Sequence, residues 1–172
     1  MYKRILVTLD GSPLSEAVLP QVEQLDGASV RVTLLTVAEP PQATAAPPHP
    51  LVVAGAAAPG GTATVPPART AETRDQAIQR ARAELAAYLE EKAGPLRSKG
   101  IRVETEVRFG EAVEEILASS REHEVDLIIM ATHGRSGLAQ AVFGSVASRV
   151  LGSGVRPVLL VRPGSLSDHG PN

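Results

Sequence analysis

Five short apolar runs, each separated from the next by a stretch of helical periodicity, restrict this chain to very few architectures. The runs are Ile5-Leu6-Val7-Thr8-Leu9, residues 30–37, residues 101–108, Asp126-Leu127-Ile128-Ile129-Met130 and Val158-Leu159-Leu160-Val161. All have strand length, and the first and fourth are nearly continuous in apolar residues, as in strands covered on both faces. The third, Ile101-Arg102-Val103-Glu104-Thr105-Glu106-Val107-Arg108, alternates strictly, which predicts a half-exposed strand at a sheet edge. Strands alternating with helices predict an α/β doubly wound, Rossmann-like sheet of five parallel strands. Right-handed crossovers, buried first and fourth strands and an exposed third favour the order 3-2-1-4-5. The switch point then falls between strands one and four, where such sheets bind ligands at the carboxyl ends of their strands.

Local signals punctuate this frame. Ser12 suits a helix N-cap and Pro13 the first helical position, and Leu14, Ala17, Val18, Val22 and Leu25 mark one face of that helix. Pro20 inside it predicts a kink or a loosened turn, and Asp26-Gly27 stops it. From Glu72 to about Lys99 a long helical pattern sets Ile78, Ala81, Leu85 and Leu89 on one stripe, with Gly94-Pro95 breaking or bending its last turns. Gly110-Glu111 opens a helix whose Val113, Ile116, Leu117 and Ser120 face inward; Glu111, Glu114 and Glu115 place favourable charge at its start. Between about residues 40 and 70 Pro, Ala, Gly and Thr dominate and charge nearly vanishes. That composition sustains no core element and predicts a long mobile loop, read as an unstructured insertion ahead of a docking point for a ligand lid or a partner at Leu51-Val52-Val53, with His49 solvated. The expected organisation is one domain over residues 1–163, carrying that insertion, with a flexible tail over 164–172.

Composition removes several function classes. With 17 basic and 19 acidic residues and a net charge of −2, the order of the charges announces no basic patch. Aromatic residues for base stacking make up 2%, so nucleic acid is not the expected partner. The absence of cysteine excludes disulfides, thiol catalysis and cysteine metal sites. No apolar run approaches membrane-spanning length and the start is too short for a signal-peptide core, so a soluble cytoplasmic protein is expected. His49, His123, His133 and His169 are scattered without metal-ligand spacing.

The chemistry gathers in Met130-Ala131-Thr132-His133-Gly134-Arg135-Ser136-Gly137 and the Gly144-Ser145 that follows. A strand precedes this stretch, and residues 145–151 wind as a helix with Ser145 at its cap. Strand, glycine-bearing loop and helix N-terminus form a geometry for holding an anion. Glycines let backbone N–H groups approach phosphate oxygens, and the first helical turn adds unpaired donors and partial positive charge. Ser136 and Ser145 add hydroxyls. Arg135 either contacts a phosphate or lies over the loop as a solvated cap. His133 has no nucleophile and carboxylate beside it in the sequence to make it a catalyst. Asp10 either meets a ligand or caps the turn beside Ser12.

These residues carry a family resemblance. Ala131-x2-Gly134-x9-Gly144-Ser145 resembles the Gly-x2-Gly-x9-Gly-(Ser/Thr) nucleotide motif of universal stress proteins, with Ala in place of the first Gly. The opening Ile5-Leu6-Val7-Thr8-Leu9-Asp10-Gly11-Ser12 and the ending Pro157-Val158-Leu159-Leu160-Val161-Arg162 are similar to that family too. The resemblance spans roughly residues 1–39 and 72–163. It implies an ATP-binding member of the family, a nucleotide-dependent stress-response sensor or switch, with Mg²⁺ accompanying the phosphates. It implies Thr8 and Asp10 beside the adenosine, Val37 against the adenine, and Met130 and Ala131 on the sugar and adenine side. Gly134, Gly144, Ser145 and Val146, with Arg135, fall to the phosphates. A methyl at residue 131 is harmless on extended backbone and clashes where φ must be positive. No base to activate water is evident, so any ATP hydrolysis is expected to be slow. The alternatives are a nucleotide-free dimeric interaction module, a member that binds cyclic AMP, and a nucleotidyl-transferring enzyme. The last generally needs a His-rich phosphate loop or added lysines, which a single His133 does not supply. An apolar fifth strand at a sheet edge invites pairing with another chain, and the resemblance implies a homodimer formed through it.

Overall fold

The computed structural model describes residues 2–25, 29–41, 73–132 and 144–162. Five parallel strands, β1 (Arg4–Thr8), β2 (Arg31–Ala38), β3 (Arg102–Phe109), β4 (Leu127–Ala131) and β5 (Val158–Val161), form one sheet. Its order is β3-β2-β1-β4-β5, as the buried and alternating runs predict. In register, Val7 lies opposite Leu34 on one side and Ile129 on the other. The carboxyl ends of β1, β2 and β4 therefore reach the same level.

Helices cover both faces. On one, α1 (Pro13–Glu16), α2 (Leu19–Glu23) and α3 (Arg74–Ser98) bury Ile5, Val7, Val32, Leu34, Leu89 and Leu96. On the other, α4 (Ala112–Glu122) and α5 (Ser145–Gly152) bury Leu6, Leu35, Ile116, Ile128, Met130 and Val150. The division follows from alternation: neighbouring residues of a strand point to opposite faces.

Several local expectations need correction. The first helical segment is two short helices with a break at Ala17 and Val18, and Pro20 falls in the first turn of α2. Proline has no N–H and its ring excludes the carbonyl four residues back, that of Glu16, so the chain restarts a helix around it. Ser12 does cap α1, accepting the Ser15 N–H at 3.1 Å. Gly94-Pro95 does not end α3, which continues through Pro95 to Ser98 and opens on a Thr73/Gln76 capping box. Its buried face is Ala77, Leu89, Ala93 and Leu96, with Ile78, Ala81 and Leu85 half-buried beside it. At α5 the N-cap is Gly144 (φ −55°, ψ 152°), and Ser145 is the first helical residue. Asp26-Gly27, most of the 40–70 insertion and the 164–172 tail lie outside the described residues.

Candidate functional site

The switch point between β1 and β4 opens into a cavity of about 200 Å³. Its position rests on the end of β1. The Leu9 N–H donates to the Leu35 carbonyl at 2.9 Å, and the buried Thr36 hydroxyl donates to the Leu9 carbonyl at 2.9 Å. Asp10 thus leaves the sheet from a point fixed by β2. Its N–H donates to Ser15 Oγ at 3.1 Å, while its Oδ1 accepts the Ser12 N–H at 2.9 Å and the Ser12 hydroxyl at 2.6 Å. Burial pushes the Asp10 carboxyl up, but the hydrogen bonds from Ser12, aided by Ser15, together outweigh it and hold the group below its ordinary value. Asp10 consequently stands as a carboxylate at the cavity wall, and it caps the turn as well as lining the space.

Eight of the residues named from the sequence line this cavity together: Thr8, Asp10, Val37, Met130, Ala131, Gly144, Ser145 and Val146. Gly134 and Arg135, with His133 and Ser136, lie outside the described residues. Ala131 ends β4 paired with Val161. Its backbone φ is not positive, Glu124 being the one non-glycine residue with positive φ among those described. The methyl group is therefore carried on ordinary backbone, and alanine suits this position without strain.

The lining also includes Leu9, Leu14, Ser15, Leu35, Ala112, Ile116 and Ala147, none of which was assigned to the site from the sequence. Ala112 and Ile116 come from the first turns of α4. Only the inward periodicity of Ile116 hinted at them, and periodicity does not separate a core position from a cavity wall. The two helices are tied where they meet the cavity. Glu111 accepts the Glu114 N–H at 2.9 Å as the N-cap of α4, and the same carboxylate pairs with Arg149 of α5 at 2.6 Å. The Glu114 N–H, ahead of Arg149, holds the Glu111 carboxyl below its ordinary value despite the opposing effect of desolvation.

What the cavity offers chemically is uneven. Part of the lining is apolar, formed by Leu35, Val37, Ile116 and Met130. Another part is the start of α5, where Ser145, Val146 and Ala147 line the space. Gly144 supplies no side-chain cap to this helix, and the first N–H groups of an α-helix have no intrahelical acceptor. A flat apolar group fits the first part and an anionic group the second. Among the described residues no cluster of three or more His, Cys, Asp or Glu could hold a metal ion, and no helix is long and apolar enough to cross a membrane.

Comparison with known proteins agrees with this geometry. The profile of the universal stress protein family (Usp) matches residues 1–162. The universal stress protein MJ0531 of Methanocaldococcus jannaschii is 38% identical over 63 residues, which span 37% of this chain and 37% of that protein. Among solved structures, MJ0577 of the same organism superposes with a TM-score of 0.65 at 24% identity, covering 94% of this chain and 96% of the other. A universal stress protein in complex with cAMP gives 0.60 at 20% identity, covering 94% and 98%. Two further structures share the fold at TM-scores of 0.54 and 0.57, one from Archaeoglobus fulgidus in complex with dAMP and one from Arabidopsis thaliana with AMP bound.

Proposed function

The chain belongs to the universal stress protein family, and from that premise we propose that its switch-point cavity binds an adenine nucleotide, ATP in the first place, so that the protein works as a nucleotide-dependent sensor or switch in a stress response. The observation that carries this reading is the meeting of Asp10, Val37, Met130 and the start of α5 in one cavity. The apolar wall takes the adenine and Asp10, with Thr8, the ribose. The first N–H groups of α5, which have no intrahelical acceptor, and the Ser145 hydroxyl take phosphate oxygens. A volume of about 200 Å³ is below the roughly 300–1,000 Å³ of pockets that enclose a whole drug-sized molecule. Base and sugar therefore occupy the cavity and the phosphates lie at its rim, against Gly144 and Ser145. Mg²⁺ would accompany those phosphates, held there mainly by phosphate oxygens and water.

A second reading, a monophosphate such as AMP or cyclic AMP, draws support from the relatives solved with cAMP, dAMP and AMP. Calorimetric titration of the nucleotide-free protein with ATP–Mg²⁺, AMP and cyclic AMP separates the two. Roughly micromolar ATP–Mg²⁺ binding, at least tenfold tighter than that of either monophosphate, is the expected result. Gly144→Val should abolish it, because residue 144 has ordinary backbone angles and the added side chain intrudes on the rim without straining the fold. Preference for a monophosphate would replace ATP in this reading. No binding of any of the three would leave a nucleotide-free interaction module.

A further inference from the structure

At the opposite end of the sheet the strands begin around a second concavity of about 870 Å³. We infer that it is a second anion site, built for a compact ligand carrying several phosphate groups and separate from the nucleotide cavity. Its charge is one-sided: Lys3, Arg4, Arg31, Arg102 and Arg156 line it, with Asp126 the one carboxylate among the described lining residues. Three of the cations form a row, for Arg4 lies in register with Arg31 and Arg31 with Arg102. Residues in parallel register project from the same face, so the row presents three guanidinium groups side by side.

Like charges placed directly opposite each other destabilise a sheet, and the protein neutralises the row only in part. Arg4 pairs with Glu124 at 2.6 Å and with Asp126 at 3.8 Å, and Arg31 with Glu104 at 3.7 Å. Arg102 and the Lys3 ammonium have no carboxylate in ion-pair range among the described residues. Asp126 is already engaged, its Oδ2 accepting the Lys3 and Arg4 N–H groups at 3.0 and 2.9 Å. Arg156 adds a further cation to the lining, and its Nε, closed off from solvent, has no hydrogen-bond partner among the described residues.

The chemistry selects among anions. Guanidinium forks match the oxygens of phosphate. A single carboxylate would leave most of the cations uncompensated, whereas a di- or triphosphate carries charge of the matching order. Among the described lining residues Tyr2 is the one aromatic side chain, too little to stack a run of bases.

The test is calorimetric titration of the full chain with sodium tripolyphosphate at low ionic strength, without Mg²⁺, on the wild type, the double variant Lys3→Gln/Arg102→Gln, and Gly144→Val. Both residues of the double variant are exposed, so folding is retained, and circular dichroism checks it. Wild type should bind, the double variant should bind at least about tenfold more weakly, affinity should fall steeply with added salt, and Gly144→Val should leave it unchanged. Absence of binding by wild type, or equal binding by the double variant, overturns the proposal. Loss of binding in Gly144→Val also overturns it, by assigning tripolyphosphate to the α5 end of the sheet and so supporting the nucleotide reading instead.

Discussion

The sheet has two edge strands, and they are finished in opposite ways. Among the described residues β3 pairs only with β2 and β5 only with β4. Along β3, Arg102, Glu104, Glu106 and Arg108 interrupt the apolar residues, and α3 reaches over to occupy backbone acceptors. Arg97 Nε and Nη2 donate to the Val103 carbonyl at 3.1 and 2.9 Å, and Arg82 donates to the Val107 carbonyl at 3.0 Å. Arg108 is held in turn by Glu106, Glu115 and Glu122. Charge and guanidinium caps of this kind make a poor template for another strand. β5 carries Val-Leu-Leu-Val and no charge, with Leu159 44% exposed and Leu151 of α5 43% exposed. One edge is closed to pairing and the other left open, and we propose that a two-fold dimer forms through β5.

The largest effect should come from the open edge. Leu159→Lys puts a charge where the dimer reading needs an apolar contact, and the dissociation constant should rise at least about a hundredfold. Light scattering coupled to size exclusion reads this directly. The chain itself should stay folded, because the side chain is half out of the protein already. A variant that remains dimeric would move the interface elsewhere and remove the functional meaning of the asymmetry.

At the closed edge the effects are smaller and depend on pH. Glu90 accepts from Arg97 at 2.5 and 3.2 Å and from the Thr105 hydroxyl at 2.7 Å. The Arg97 guanidinium, then Thr105, holds its carboxyl down at about 2, against 4.5 ordinarily. Arg97→Ala should cost about 1 kcal/mol at neutral pH, a value reduced for the exposure of the pair. Because the folded-state pKa is depressed, the Glu90 share is complete above about pH 4.5 and is lost as pH falls through about 2. Urea unfolding of wild type and variant should therefore show a gap that narrows between those limits. The part that survives at acid pH belongs to the Val103 carbonyl, which keeps its charged donor. A gap independent of pH would assign the whole effect to that carbonyl.

The contrast between the edges also shows what the sequence discloses. The alternation of Val103, Glu104, Thr105, Glu106 and Val107 predicts a half-exposed strand because pleating sends neighbours to opposite faces, and β3 is that strand. Asp10, Ala131 and Gly144 were legible at the cavity because they follow or end strands or open a helix, where the topology brings them together; Thr8, Val37 and Met130 were named only through the family resemblance. Ala112 and Ile116 were not, since α4 contributes them through its packing and their residue types carry no chemistry. The row of Arg4, Arg31 and Arg102 was equally invisible. The order of charges along the chain shows no patch, and only strand register assembles one. The cap of α5 was misplaced by one residue because serine is the common capping side chain, whereas the extended backbone of Gly144 makes the boundary here.

Glu104 gives the finest test of how the closed edge is kept closed. It is an exposed β3 residue whose one ion pair among the described residues is with Arg31 at 3.7 Å, and exposed pairs contribute little. Glu104→Val should therefore leave stability within about 0.5 kcal/mol of wild type, the lost pair being offset by the strand preference of a β-branched residue. Its effect should appear in association. With that charge gone, the edge carries a longer apolar run, and concentration-dependent assembly beyond the wild-type state should become visible by light scattering. If the variant assembles no further than wild type, the arginines of α3 suffice to close the edge, and the charges on β3 serve its ion pairs instead. Combining Glu104→Val with Arg97→Ala would then expose it, because the Val103 carbonyl loses its cap at the same time as the strand loses its charge.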